Sequence, residues 1–224
     1  MRIAVLSDIH SNLPALEAVL ALARSADTIL CCGDIVGYFA DPNEVCGCLQ
    51  AFQVPCIRGN HDAYVTGELA PSPRVRNIAR VDWTRRELSK PNLRWLRSLP
   101  TEIRTEVGSL AITMRHASPW DEETYLYADS LRIGEIQLRD NEMLFLGHTH
   151  HQFARKAGRG LIVNPGSVGQ PRDTRGGACL SFVVETEPRV QAVRTTYDTA
   201  SYQKRLVTAG WDPAVVHSID QGGS

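Results

Sequence analysis

The stretch RIAVLSDIHSNLPALEAVLALA, residues 2–23, constrains the fold more than any other part of the chain. An apolar run over residues 2–7 passes into a polar turn carrying Asp8 and His10. Leucines and alanines then recur at helical spacing, with Asn12 or Leu13 just ahead of a first-turn Pro14. This reads as strand, loop, helix. Thr28 to Cys32 repeats the strand signal, and DPNEVCGCLQAF opens a second helix with Asp41 as cap and Pro42 at its first position. Val54 to Ile57 is a third short strand. Alternation of this kind implies a parallel sheet, because parallel neighbours need helical crossovers, and it opens every following loop at one edge.

From Asp62 to Leu99 the pattern is helical, interrupted by APSPR and SKPN, and reads as a helical insertion over about residues 62–100. Strands follow at Glu102–Val107, Leu110–Arg115, Met143–Leu146, Phe153–Ala157, Leu161–Val163, Ala178–Val184 and Val190–Thr196, with one helix near Ser130–Arg139. Adjacent pairs joined by short glycine-containing links predict hairpins in a second, mixed sheet. Residues 1–209 form one domain on this reading, and 210–224, ending in DQGGS, form a tail that begins in a helix from Ser201.

A chain of 224 residues at 43% hydrophobic content buries one sizeable core, which favours a single domain over two. Its 24 basic residues nearly cancel its 25 acidic ones, so the balance calls for neither stable nucleic-acid binding nor an anionic membrane, and it is compatible with a homo-oligomer. The first apolar run is too short for a signal-peptide core, and no spanning helix is seen; the expectation is a soluble, cytoplasmic protein. Six cysteines, in no paired CxxC arrangement, read as buried free thiols in a reducing compartment.

The chemistry lies in the loops. SDIHSN offers Asp8 and His10, CGDIVGY offers Asp34, and RGNHDAY offers Asn60, His61 and Asp62. His116 follows the strand LAITMRH, and FLGHTHHQF places His148, His150 and His151 after another strand. A loop, which need not obey strand alternation, is free to aim His148 and His150 separately. Carboxylate, imidazole and amide oxygen together suit manganese, iron, cobalt or zinc better than a thiolate zinc or an all-oxygen calcium site. Each motif alone is common in turns and caps. Five of them at strand ends are not so readily set aside.

In that order, D-x-H, G-D, G-N-H-D, a strand-terminal histidine and G-H-T-H resemble the calcineurin-like metallophosphoesterase superfamily. NPGSVGQPRD at 164–173 is similar, more narrowly, to its small prokaryotic YfcE-like phosphodiesterases. The resemblance implies an α/β fold, a four-layer α-β-β-α sandwich of two mixed sheets flanked by helices. It implies two divalent metal ions, manganese first, with iron, cobalt, nickel or zinc as alternatives. Asp8, His10 and His150 would hold one, Asn60, His116 and His148 the other, and Asp34 both. Two cations about 3.5–4 Å apart can share a hydroxide that attacks phosphorus in line. His61 would face the substrate and act at the leaving oxygen. Asp62 would orient His61 or favour the helix N-terminus, and Arg58 would meet phosphate or form an ion pair. His151 has no counterpart in the pattern and is expected to be exposed.

The resemblance therefore implies a hydrolase acting on phosphodiester or phosphoanhydride bonds of a small phosphorylated substrate, with a nucleotide in view. The alternatives are a broad phosphomonoesterase and a non-catalytic scaffold like the retromer subunit that shares the family's fold. That scaffold lacks the histidine at the position of His61. Ala117 replaces the usual glycine after the strand-terminal histidine, and Gly37 and Tyr38 stand where protein phosphatases of the superfamily carry Asp and Arg. Trp120, Tyr125 and Tyr127 in ASPWDEETYLY offer surfaces for a base, and Arg74, Arg85 and Arg86 offer charge for further phosphates.

Overall fold

The computed structural model describes residues 1–173, 175–185 and 189–219. Strand β1 (Arg2–Leu6) lies between β2 (Thr28–Cys31), parallel to it, and β8 (Ala178–Val184), antiparallel to it; β9 (Arg189–Thr195) completes this sheet on β8. The second sheet runs β3 (Glu102–Val107), β4 (Leu110–Arg115), β5 (Glu142–Phe145), β7 (Gly160–Pro165), β6 (Gln152–Ala157), with β4, β5 and β7 parallel and the two outer strands antiparallel. Both sheets are mixed, as expected. The hairpin β8–β9 belongs to the first sheet, however, and not to the second. Every residue from Ala178 to Val183 is buried, which suits a strand inside the sheet with both faces covered.

Ile3, Val5, Leu30 and Val183 of the first sheet pack against Ile112, Met114, Phe145 and Val163 of the second. Fully burying such side chains stabilises the fold by about 1.5–3 kcal/mol each. On the outer face of the first sheet lie α1 (Leu13–Ala23), α2 (Pro42–Ala51), α7 (Thr199–Thr208) and α8 (Pro213–His217), in one apolar cluster with the helices of the insertion. A short 3-10 helix (Leu131–Glu135) and its flanking loop cover the outer face of the second sheet through Leu126, Ile133 and Ile136. The helix expected over Ser130–Arg139 is thus one tight turn, ended where Ile136 adopts extended backbone.

The third strand expected at Val54–Ile57 reduces to a single parallel bridge between Cys31 and Cys56. Pro55 has no N–H to donate, and only Pro55 O and Ile57 N bond to Cys31. The segment still runs alongside β2 and delivers its loop to the same edge. The insertion forms α3 (Asn60–Thr66), α4 (Pro73–Ile78), α5 (Val81–Glu87) and α6 (Lys90–Ser98). SKPN is a helix start and not a break: Ser89 Oγ accepts from Asn92 N, and proline stands in the first turn. Asn12 caps α1 by accepting from Ala15 N at 3.2 Å. Asp41 precedes α2 without a capping bond, because Arg205 of α7 occupies both its oxygens at 2.8 and 2.6 Å.

The stretch expected as a tail packs against the fold up to Ile219. Trp211, Val215, Val216 and Ile219 are buried, and Trp211 Nε1 donates to Tyr38 O at 2.7 Å. Residues 220–224 of that expectation lie outside the described residues. No helix among the described residues is long and apolar enough to cross a membrane.

Candidate metal centre

Asp8 follows β1, Asp34 follows β2, His116 follows β4, and His148 and His150 follow β5. Asn60 begins α3 behind the segment that runs beside β2. All are at least 96% buried. Asp8, His10, Asp34, His148 and His150 have φ between 52° and 66°. That left-handed region costs a non-glycine residue about 1–3 kcal/mol, and its clustering here marks a site held in place by its surroundings.

Close loop approach explains the glycines. A Cβ on Gly59 would fall 2.2 Å from Asp34 Oδ1, and one on Gly147 would fall 2.0 Å from Ser7 Oγ. The NPGSVGQ segment clamps the first loop: Val168 N donates to Ser7 O, Gly169 N and Ser167 Oγ to Asp8 O, and Asn12 Nδ2 to Gly169 O. Asn164 Nδ2 holds the histidine loop through Gly147 O at 2.6 Å.

The ligating atoms fall into two groups, Asp8, His10, Asp34 and His150 in one and Asp34, His116 and His148 in the other, so Asp34 belongs to both. Asn60 Oδ1 joins the second group, 3.0 Å from both His116 Nε2 and His148 Nδ1. His10, His116 and His150 turn Nδ1 to the carbonyls of Val36, Cys32 and Gln170 at 3.4, 2.7 and 2.6 Å. With the proton on Nδ1, His10 and His150 present an Nε2 lone pair inward, and His116 aims its Nε2 at the same space. His148 reverses this, with Nε2 3.0 Å from Glu123 O and Nδ1 inward.

These inward atoms are acceptors facing acceptors. His10 Nε2 and His150 Nε2 are 3.0 Å apart, Asp8 Oδ1 lies 3.2 Å from His150 Nε2, and the buried Asp34 Oδ2 accepts no hydrogen bond. Lone pairs opposed in this way repel unless a cation lies among them, and the mixed nitrogen and oxygen donors suit a divalent transition metal.

The local field agrees. Burial holds His10 well below the usual imidazole range and His148 down to about 3, so both rings are neutral. Burial also lowers His116, but the Asp34 and Asp8 carboxylates more than offset it and push the ring up to about 10. Burial raises Asp34, yet His116 and His61 outweigh it and hold the carboxyl well below its ordinary value. The pocket favours positive charge beside Asp34.

His61 is in neither group. Its backbone N–H donates to Asp34 Oδ1 at 2.8 Å, while its ring lies 4.9 Å from the Tyr38 ring and edge-on to His10 at 5.0 Å. Its Nδ1 is buried without a hydrogen-bond partner.

Asp62 takes the helix N-terminus alternative, as the acidic third residue of α3 whose carboxylate caps Gly59 N. Its carboxylate accepts from Ile35 N, Val36 N and Gly59 N, each at 3.0 Å, and so ties the Asp34 loop to the Asn60 loop. Burial and the Asp34 charge push it up to about 7. Arg58 points to Glu68 and Glu122 at 3.9 and 3.6 Å, which is the ion-pair alternative. Arg85 donates to Val65 O and Tyr64 O at the end of α3. His151 is half-buried, edge-on to Tyr127 at 5.2 Å. Tyr125, 47% exposed, lies 4.0 Å from the His148 ring and beside Tyr127, so this part of the aromatic loop borders the site.

The sequence profile of the calcineurin-like phosphoesterase superfamily domain matches residues 1–187. The chain belongs to that superfamily. It is 33% identical to the uncharacterized protein MJ0912 of Methanocaldococcus jannaschii over 92% of this chain and 91% of that one. A metallophosphoesterase of Sphaerobacter thermophilus superposes with a TM-score of 0.80 at 31% identity, over 99% of both chains. YfcE, a phosphoesterase from E. coli, shares the fold with a TM-score of 0.52 at 20% identity, over 88% of this chain and 100% of that one, as the YfcE-like resemblance anticipates.

Sequence reading passed over Tyr38 and Arg172 as site residues. Tyr38 entered it only as a departure from another branch of the superfamily, and Arg172 only as a letter in NPGSVGQPRD. The place of Tyr38 four residues after Asp34, behind Gly37 in the same loop, was the available signal.

Proposed function

We propose that this chain is a metal-dependent hydrolase that cleaves phosphodiester or phosphoanhydride bonds of a small phosphorylated substrate. The observation that carries the reading is Asp34: one carboxylate shared by two buried ligand groups, with the backbone N–H of His61 donating to it and the His61 ring in neither group. Asp8, His10 and His150 would hold one divalent cation and Asn60, His116 and His148 the other, with Asp34 reaching both and manganese the best-suited ion. When bound, the pair neutralises phosphate oxygens and supplies an activated water.

The chain's own residues do the rest. The backbone carbonyls of Val36, Cys32 and Gln170 fix each imidazole's tautomer, so the lone pairs are aimed before a cation arrives. Asn60 contributes a neutral oxygen, which leaves net positive charge for an anionic substrate. His61 hydrogen-bonds the departing oxygen and stabilises the charge that develops there. Burial of the whole cluster strengthens these interactions by excluding water. We place the reaction in a reducing, cytoplasmic compartment because all six cysteines are free thiols and five of them are buried.

The test supplies metal-free protein with manganese and assays bis-p-nitrophenyl phosphate, p-nitrophenyl phosphate and diadenosine tetraphosphate. Hydrolysis of a diester or anhydride only after manganese addition supports the reading. Manganese binding without turnover of any of the three contradicts it and favours the scaffold alternative.

A further inference from the structure

Tyr38 packs against His61 and His10, with ring centroids 4.9 and 4.8 Å away, and its hydroxyl meets Arg172 Nη2 at 3.3 Å. The same Nη2 donates to Gln170 Oε1 at 3.1 Å, two residues back along the loop whose Gln170 carbonyl fixes His150. Both partners are neutral. The neighbouring arginines differ: Arg175 and Arg194 share the Asp173 carboxylate, while Arg172 forms no ion pair among the described residues. Arg172 is exposed, and Tyr125 of the aromatic loop also faces its guanidinium.

Position gives this charge a direction. It lies toward His61 and His150: Tyr38, whose hydroxyl it meets, packs on the His61 ring, and Gln170, whose side chain it meets, bonds His150 through its carbonyl. Arg172 therefore stands on the His61 side of the centre, beyond Tyr38, where the departing part of a substrate lies. A planar fork of donors with no carboxylate partner is suited to a phosphoryl group.

We propose that Arg172 binds a second phosphoryl group on the leaving side of the scissile bond. It thereby biases the chain toward phosphoanhydrides, whose leaving group is itself a phosphate, over alkyl and aryl esters. This rests on the hydrolytic reading above. In the reaction concerned, water forms the new O–P bond, the P–O bond to the leaving phosphoryl group breaks, and a proton of the water passes to the departing oxygen. Arg172 pairs with the charged oxygens of that departing phosphoryl group, which p-nitrophenolate lacks.

The test compares wild type with Arg172→Gln, a substitution at an exposed position. Binding of methylenediphosphonate and of methylphosphonate to the manganese-supplied protein is measured by calorimetry. Chelation of free manganese by the diphosphonate is the same for both proteins, so their difference reports on Arg172. The expected result is that the variant loses about tenfold or more in affinity for the diphosphonate and changes by less than about twofold for the monophosphonate. Equal weakening for both ligands, or for neither, overturns the proposal. Turnover supplies a second readout: kcat/KM for diadenosine tetraphosphate falls about 30-fold while that for bis-p-nitrophenyl phosphate is retained. A wild type that hydrolyses nothing defeats the hydrolytic reading, while the binding comparison still decides the role of Arg172.

Discussion

His10 Nε2 and His150 Nε2 face one another at 3.0 Å, each ring bound through Nδ1 to a backbone carbonyl. The contact joins the first loop of the chain to the fifth, and it is repulsive between neutral rings. A cation between them converts a strained arrangement into a cohesive one, so metal binding is coupled to stability. At a manganese concentration of about 100 times Kd, linkage contributes about 2.7 kcal/mol. For a chain of this size that raises Tm by about 5–10 °C. Differential scanning calorimetry of metal-free protein with and without manganese measures the shift, and Asp34→Asn should remove most of it. An unchanged Tm would argue against a cation among these residues.

Gly59→Ala tests the packing of the same centre without altering a ligand. The added Cβ would sit 2.2 Å from Asp34 Oδ1 and 2.4 Å from Asp34 N, so the Asp34 loop has to move. Overpacking of this kind costs about 1–3 kcal/mol. Urea denaturation should show that loss, and manganese titration should show weakened affinity in the protein that still folds. Normal affinity would mean that the loop tolerates displacement.

Acid stability offers a check away from the centre. Burial raises Asp173, but hydrogen bonds from Arg194 and Arg175 more than offset this and hold its folded-state pKa below the ordinary value. A depressed carboxyl contributes stability that is present above the unfolded pKa and is lost as pH falls through the folded pKa. Asp173→Asn should therefore be destabilised by about 1 kcal/mol near pH 7, and the gap to wild type should close at strongly acidic pH. Chemical denaturation at the two pH values reads the difference; a gap that persists in acid would assign the role to packing.

The gathering of Asp8, His10, Asp34, Asn60, His116, His148 and His150 was legible because each follows a run with strand character, and parallel strands deliver their ends to one edge. The same logic survived the loss of the third strand, since a single bridge at Cys56 still directs residues 57–60 alongside β2. Asp62 was legible only as a helix-start acid: its bond to Gly59 N, three residues back, follows from its place in the first turn of α3, whereas its bonds to Ile35 N and Val36 N, 27 and 26 residues away, depend on how the Asp34 loop folds over it. Arg172 was hidden for a related reason. Its place depends on residues 166–170 folding over the first loop, a tertiary event within a segment that has no helical or strand period. The packed segment 211–219 misled through its flanking glycine and polar residues, although Trp211, Val215, Val216 and Ile219 carry an apolar spacing that fits one buried face.

The most direct test of the central claim is manganese stoichiometry in His61→Ala, with turnover followed in the same preparation. The account predicts two ions per chain, as in wild type, with turnover lowered by about 10²–10⁴-fold. Loss of manganese as extensive as that caused by Asp34→Asn, or turnover equal to wild type, would contradict it.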